Sequence, residues 1–115
     1  MAGFYGPILK AGASGAFDAR NGGYAGKTKQ SLPVSFTVKN DKVKKPKFKI
    51  DLGGCTVTDS STATARISDR GKFKVDMGSD YLKGKFVTRS KVKGSAHTEP
   101  YGCPSGTVSY TAHHK

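Results

Sequence analysis

The chain has 115 residues and a formal net charge of +12, with 20 Lys and Arg residues against 8 Asp and Glu residues. This length corresponds to one domain, and no apolar run is long enough for a membrane span, so the sequence predicts no transmembrane segment. Trp is absent and Glu99 is the single glutamate, which argues against a helical bundle. A low apolar fraction with high charge is typical of disordered chains, but the 15 Gly residues, together with many Thr and Val residues, favour short strands and turns.

Residues 1–21 are predicted to form an N-terminal arm. They are rich in Gly and Ala, and Gly6, Pro7 and Lys10 interrupt the apolar stretch that an export signal would need. Four apolar residues of the arm are candidates for docking onto a neighbouring surface, and they are Phe4, Tyr5, Ile8 and Leu9. In this interpretation the arm mediates self-assembly or attachment to a protein lattice; a disordered terminus is the alternative.

From residue 22 onward, apolar side chains recur at every second position, which is typical of half-buried strands. Residues 34–38 and 48–52 show this alternation, and Pro46 places the second strand at an edge or a bulge. Further strands are predicted at two places within 56–67 and at 71–76, 82–89, 91–98 and 108–112. Seven to eight short strands predict an all-β domain over residues 22–115, an antiparallel β-sandwich of the immunoglobulin-like or jelly-roll-like kind. Its predicted core is Phe36, Phe48, Ile50, Phe73, Phe86, Val108 and Tyr110.

Cys55 and Cys103 are the two cysteines of the chain, and each lies beside Gly or Pro at a predicted strand end. Two cysteines in a Thr-, Gly- and Ser-rich chain with a small core predict a disulfide. Closing so long a loop would stabilise the fold by about 4 kcal/mol. The bond would indicate an extracellular, cell-envelope or virion setting, whereas two free thiols in a reducing compartment are the alternative.

The titratable residues show no catalytic pattern. The chain lacks a phosphate-binding loop, a nucleophile elbow and a zinc-protease motif. Asp59, Asp69, Asp80 and Glu99 lie in turn-forming contexts, where carboxylates cap the backbone. The histidines and cysteines have no metal-ligand spacing. The sequence therefore predicts a protein that is not an enzyme and that holds neither a cofactor nor a metal.

Basic residues dominate the predicted outward side of three successive strands. They are Lys72, Lys74, Lys83, Lys85, Arg89, Lys91 and Lys93. Because successive side chains of a strand point to opposite faces, this pattern predicts one positively charged surface that only Asp76 offsets. The surface either guards against aggregation or attracts an acidic polymer or an acidic protein surface. The excess of 16 Lys over 4 Arg argues against sequence-specific nucleic-acid recognition.

Several short segments carry a resemblance to a known type of domain. They are GYAGKTKQ at 23–30, PVSFTV at 33–38, Cys55, GKF at 71–73, the stretch 84–94, and GCPSGTVSYTA at 102–112. Together they resemble a β-sandwich domain of secreted actinobacterial proteins, which implies a small extracellular or cell-envelope module without known activity. The sequence thus predicts a non-enzymatic binding or coating module. The alternative is a structural accessory or decoration protein of an actinobacterial phage particle, anchored by residues 1–21.

Overall fold

The computed structural model describes residues 17–115. The candidate docking residues Phe4, Tyr5, Ile8 and Leu9 lie outside this part of the chain. Within residues 17–115 the structure contains nine strands and no helix, so none of the described segments is a helix able to cross a membrane. The strands are β1 (Gly22–Thr28), β2 (Pro33–Lys39), β3 (Lys42–Asp51), β4 (Thr56–Ser60), β5 (Ala65–Arg66), β6 (Lys72–Met77), β7 (Asp80–Thr88), β8 (Lys91–Thr98) and β9 (Gly106–His114). The all-β prediction is confirmed.

All nine strands belong to one antiparallel sheet. Its order is β4-β3-β2-β1-β9-β8-β7-β6, and β5 pairs with β3 beside the main path. The sheet curls into a half-barrel, so that β5 and β3 approach β6 without pairing to it. The two-sheet sandwich predicted from the sequence is therefore not confirmed, and the strand count is nine instead of seven to eight.

The added strand is β1, whose sequence GGYAGKT lacks the regular apolar alternation of the other strands. Gly26 explains this composition, because a Cβ atom at this position would overlap the backbone carbonyl of Thr111 on β9. Gly94 on β8 has the same constraint against the carbonyl of Lys83 on β7. These glycines permit close approach of neighbouring strands, which is how a sheet of this kind can curl tightly.

The core fills the concave side of the curled sheet. Of the seven predicted core residues all are buried except Val108, which is half-buried. Four aromatic rings form its centre: Tyr24 stacks on Phe36 at 5.2 Å between ring centroids, and Phe73 lies 5.6 Å from Phe36 and 6.1 Å from Phe86. Tyr24 donates its hydroxyl hydrogen to the carbonyls of Arg20 and Arg89, so this buried ring leaves no polar atom unpaired.

The two ends of the curled sheet are closed differently. At one end Phe17 packs on Phe86, with 5.4 Å between the ring centroids. At the other end a disulfide joins Cys55, before β4, to Cys103, before β9, with the Cα atoms 6.2 Å apart. The predicted disulfide is thus present, and we call this the disulfide end.

Candidate binding face on the outer side of the sheet

Six of the seven predicted basic residues lie on the convex side of the sheet, where β6, β7 and β8 are adjacent. We call these six residues the outer basic face. They are Lys72, Lys74, Lys83, Lys85, Lys91 and Lys93. The strands bring them together because the apolar side chains between them point into the core, as the alternation predicted. Lys91 is half-buried and the other five are exposed.

The register of the strands places lysines directly opposite one another. Lys85 of β7 lies between Lys72 of β6 and Lys93 of β8, and Lys74 faces Lys83 in the next row. Directly opposed residues have Cβ atoms about 5 Å apart, and like charges at that distance destabilise a sheet. The nearest relief is Asp76, whose carboxylate lies 3.8 Å from the Lys74 ammonium. This mutual repulsion would be lowered by any anion bound across the row.

Arg89 does not belong to the outer basic face, although the sequence placed it there. It lies after the end of β7, where its guanidinium is 3.0 Å from the Asp18 carboxylate and donates a hydrogen bond to the Asp18 carbonyl. These contacts fix the segment that precedes β1. Sequence periodicity could not reveal this, because the irregular pairing between Phe86 and Thr88 shifts the alternation at the strand end.

Tyr81 is a residue of this face that sequence reasoning missed. It follows the same alternation as Lys83 and Lys85, which is the signal that could have found it. The Lys74 and Lys83 ammonium groups lie 4.8 Å and 5.5 Å from the centroid of its ring, and the His97 ring stacks on it at 5.0 Å. Such cation–π contacts orient the lysines. Because neighbouring side chains already occupy this ring, it is not an open platform for stacking a base.

A shallow depression lies within the outer basic face. Its volume is about 310 Å³, and it is lined by Lys72, Phe73, Lys83, Gly84, Lys85, Lys93 and Gly94. Lys72, Lys83, Lys85 and Lys93 surround the depression, and the backbone of Gly84 and Gly94 contributes to its floor. An anionic group seated here would contact several ammonium groups together. Within residues 17–115 no cluster of His, Cys, Asp and Glu has the arrangement of a metal site.

A pair of carboxylates inside the disulfide end is a second feature that the sequence did not predict. Asp80 accepts hydrogen bonds from the Thr98 hydroxyl at 3.0 Å and from the Glu99 backbone N–H at 2.7 Å. Asp59 lies within β4, not in a turn, and its Oδ2 atom is buried without a hydrogen-bond partner. An ionised carboxylate can only accept hydrogen bonds, so Asp59 and Asp80 cannot bond to each other while both are ionised. A hydrogen bond between them requires that one of the two carries a proton.

The pKa values of the two groups move apart accordingly. Burial, together with the hydrogen bond and the negative charge of Asp80, raises the pKa of Asp59 from 3.8 to about 7. Burial also acts to raise the pKa of Asp80, but hydrogen bonds from Asp59, Glu99 and Thr98 outweigh it and lower this pKa below the ordinary value. Asp59 is therefore the member of the pair that carries the proton.

No family model matches, and neither a curated protein nor a solved structure matches. The resemblance to the secreted actinobacterial domain therefore stays a prediction.

Proposed function

We propose that this protein is a non-enzymatic binding module that engages an acidic polymer or an acidic surface through its outer basic face. The observation that carries the proposal is the row in which Lys72, Lys85 and Lys93 lie directly opposite one another. A need for solubility alone is met by dispersed charges of both signs. Direct opposition of like charges costs stability, and a bound polyanion recovers that loss.

The chemistry of the face favours charge attraction over sequence reading. Lysine ammonium groups on long flexible side chains bind anions without the fixed two-pronged geometry of arginine. Tyr81, the aromatic ring of this face, is covered by His97 and by the lysines. We therefore propose a partner with many negative charges and no requirement for a base sequence.

The disulfide supports a location outside the reducing cytoplasm. The Cys55–Cys103 bond joins two loops of a small domain, and such bonds persist in extracellular, cell-envelope and virion settings. We propose the extracellular or cell-envelope location, where acidic polymers are available as partners.

A pair of charge-reversal variants tests the proposal. The face variant replaces Lys72, Lys85 and Lys93 by Glu, and the matched control replaces Lys42, Lys44 and Lys45 of β3 by Glu. Both variants change the net charge by the same amount, so they differ only in position. Binding to heparin and to duplex DNA is measured at low salt by fluorescence titration, after circular dichroism has shown that both variants are folded.

We expect the face variant to lose binding and the control to retain most of it. For the wild type, about five phosphate contacts would give a slope of about −4.5 in a plot of log affinity against log salt concentration. Equal loss in both variants would show that only the overall charge attracts the polymer, and the proposed face would then be rejected.

A further inference from the structure

The outer basic face continues across the whole sheet along one row of directly opposed residues. Starting at β6, the row passes through Lys72, Lys85, Lys93, Thr111, Lys27 and Pro33. Because Val34 pairs with Phe48, the row reaches β3 at Lys49, and Lys49 lies opposite Thr58 of β4. We call this row the lysine belt. It contains five lysines and no carboxylate, and it crosses from one edge of the sheet to the other.

Three shallow depressions follow the lysine belt. The first lies between Lys72 and Lys93, within the outer basic face. The second, of about 400 Å³, is lined by residues that include Lys93, Thr111 and Lys27. The third, of about 340 Å³, includes Lys49 and Thr58. Adjacent depressions therefore lie along one path, and this path curves around the convex side of the half-barrel.

We propose that the ligand is a flexible acidic polysaccharide that lies along the lysine belt and crosses the strands. This inference rests on the proposed function and names its ligand. From Lys72 to Lys49 the belt crosses six gaps between strands, which is about 29 Å at about 4.8 Å per gap. A polymer must bend to follow this convex path. Duplex DNA, with a persistence length of about 50 nm, would touch only part of it.

The side chains along the belt favour a polysaccharide over a single-stranded nucleic acid. Proteins that bind single strands combine positive charge with aromatic rings on which the bases stack. The belt has no aromatic residue, and Tyr81 lies outside it with its ring covered by His97. The belt does contain the hydroxyls of Thr111 and Thr58. A hydroxyl both donates and accepts hydrogen bonds, which suits the hydroxyl groups of a sugar.

The test uses heparin oligosaccharides of defined length and the full chain. A tetrasaccharide covers only part of the belt and can bind entirely on the lysines of β6 to β8, whereas a dodecasaccharide is long enough to reach Lys49 as well. The belt variant carries Lys27→Gln with Lys49→Gln, and the matched control carries Lys42→Gln with Lys44→Gln. We expect the belt variant to bind the dodecasaccharide about tenfold more weakly and the tetrasaccharide unchanged, because only the long ligand engages both ends.

The salt dependence gives a second readout. Loss of two contacts should make the salt slope for the dodecasaccharide shallower by about 1.4, on the scale of about 0.7 per contact known for flexible single strands. If the protein bound the tetrasaccharide and the dodecasaccharide with equal affinity, or if the belt variant and the control variant had equal effects, the proposed lysine belt would be rejected. Neither result would contradict binding at the lysines of β6 to β8. Tighter binding of oligo(dT) than of heparin of equal charge would overturn the choice of polysaccharide. Failure of the proposed function itself would appear as an unchanged affinity when Lys72, Lys85 and Lys93 are reversed.

Discussion

Replacement of Asp59 by Asn tests the carboxylate pair at the disulfide end. The folded protein holds the Asp59 proton more tightly than the unfolded chain does, because the folded-state pKa is raised from 3.8 to about 7. Stability is therefore expected to fall as the pH rises within this window, and to level off above it. In the Asp59→Asn variant an amide N–H takes the place of the shared proton at every pH, so this dependence should disappear.

The size of the effect follows from the two pKa values. A single proton gives at most about 1.4 kcal/mol per pH unit, which is about 2.7 kcal/mol between pH 5 and pH 7. Asp59 is half-buried, so water screens the repulsion of the ionised pair, and we expect about 1–2 kcal/mol. For a domain of this size, that loss corresponds to a fall in the melting midpoint of about 5–10 °C.

Thermal unfolding at pH 5, 7 and 9 measures the effect. The control is Asp76→Asn, because Asp76 is an exposed carboxylate with a lysine ion pair and has no buried partner. We expect the wild type and the control to lose stability between pH 5 and pH 7 and little more between pH 7 and pH 9, and Asp59→Asn to be the most stable of the three at pH 9. A wild-type midpoint that is constant from pH 5 to pH 9, or an identical decline in Asp59→Asn, would refute the shared proton.

Two further changes test the core and the cross-link. Phe73→Ala should lower the free energy of unfolding by about 3–5 kcal/mol in urea titrations, since Phe73 is buried between Phe36 and Phe86. The control is Val87→Ala at an exposed position, which should change the free energy of unfolding by less than about 0.5 kcal/mol. Equal effects of the two variants would contradict the assignment of Phe73 to the inner face. Reduction of the Cys55–Cys103 disulfide, which spans 48 residues, should lower the free energy of unfolding by about 4 kcal/mol. Detection of two free thiols in the denatured protein without added reductant would show that the bond is absent.

Much of the fold follows from local pattern. Alternation predicted the inner and outer sides of β2, β3, β6, β7 and β8, and with them the core around Phe73 and the position of the lysines. The two short strands within 56–67 are present as β4 and β5. Pro46 lies beside an irregularity in the pairing of β2 with β3, as its missing N–H predicted.

The remainder depends on contacts between distant segments, which local pattern does not encode. β1 was missed because Gly26 is required by the close approach of Thr111, so that strand lacks the usual side chains. The lysine belt could not be seen because Lys27 and Lys49 join the β6–β8 lysines only through the strand order. The Asp59–Asp80 pair similarly depends on a contact between two side chains that lie far apart in the sequence, one on β4 and one on β7. The sequence context of Asp59 suggested a turn, whereas this contact makes it a proton-binding group.

The pairing of β1 with β9 has a consequence for how the chain is made. Until β9 has been synthesised, the strands can pair only as two separate arrays, β1 to β5 and β6 to β8, with the edges at β1 and β8 left unpaired. Residues 106–114 join both arrays at once, so the sheet can become continuous only after β9 has been synthesised. Contacts this distant in sequence form slowly, and a chain cut short before residue 106 would leave two sheet fragments with open edges that invite aggregation.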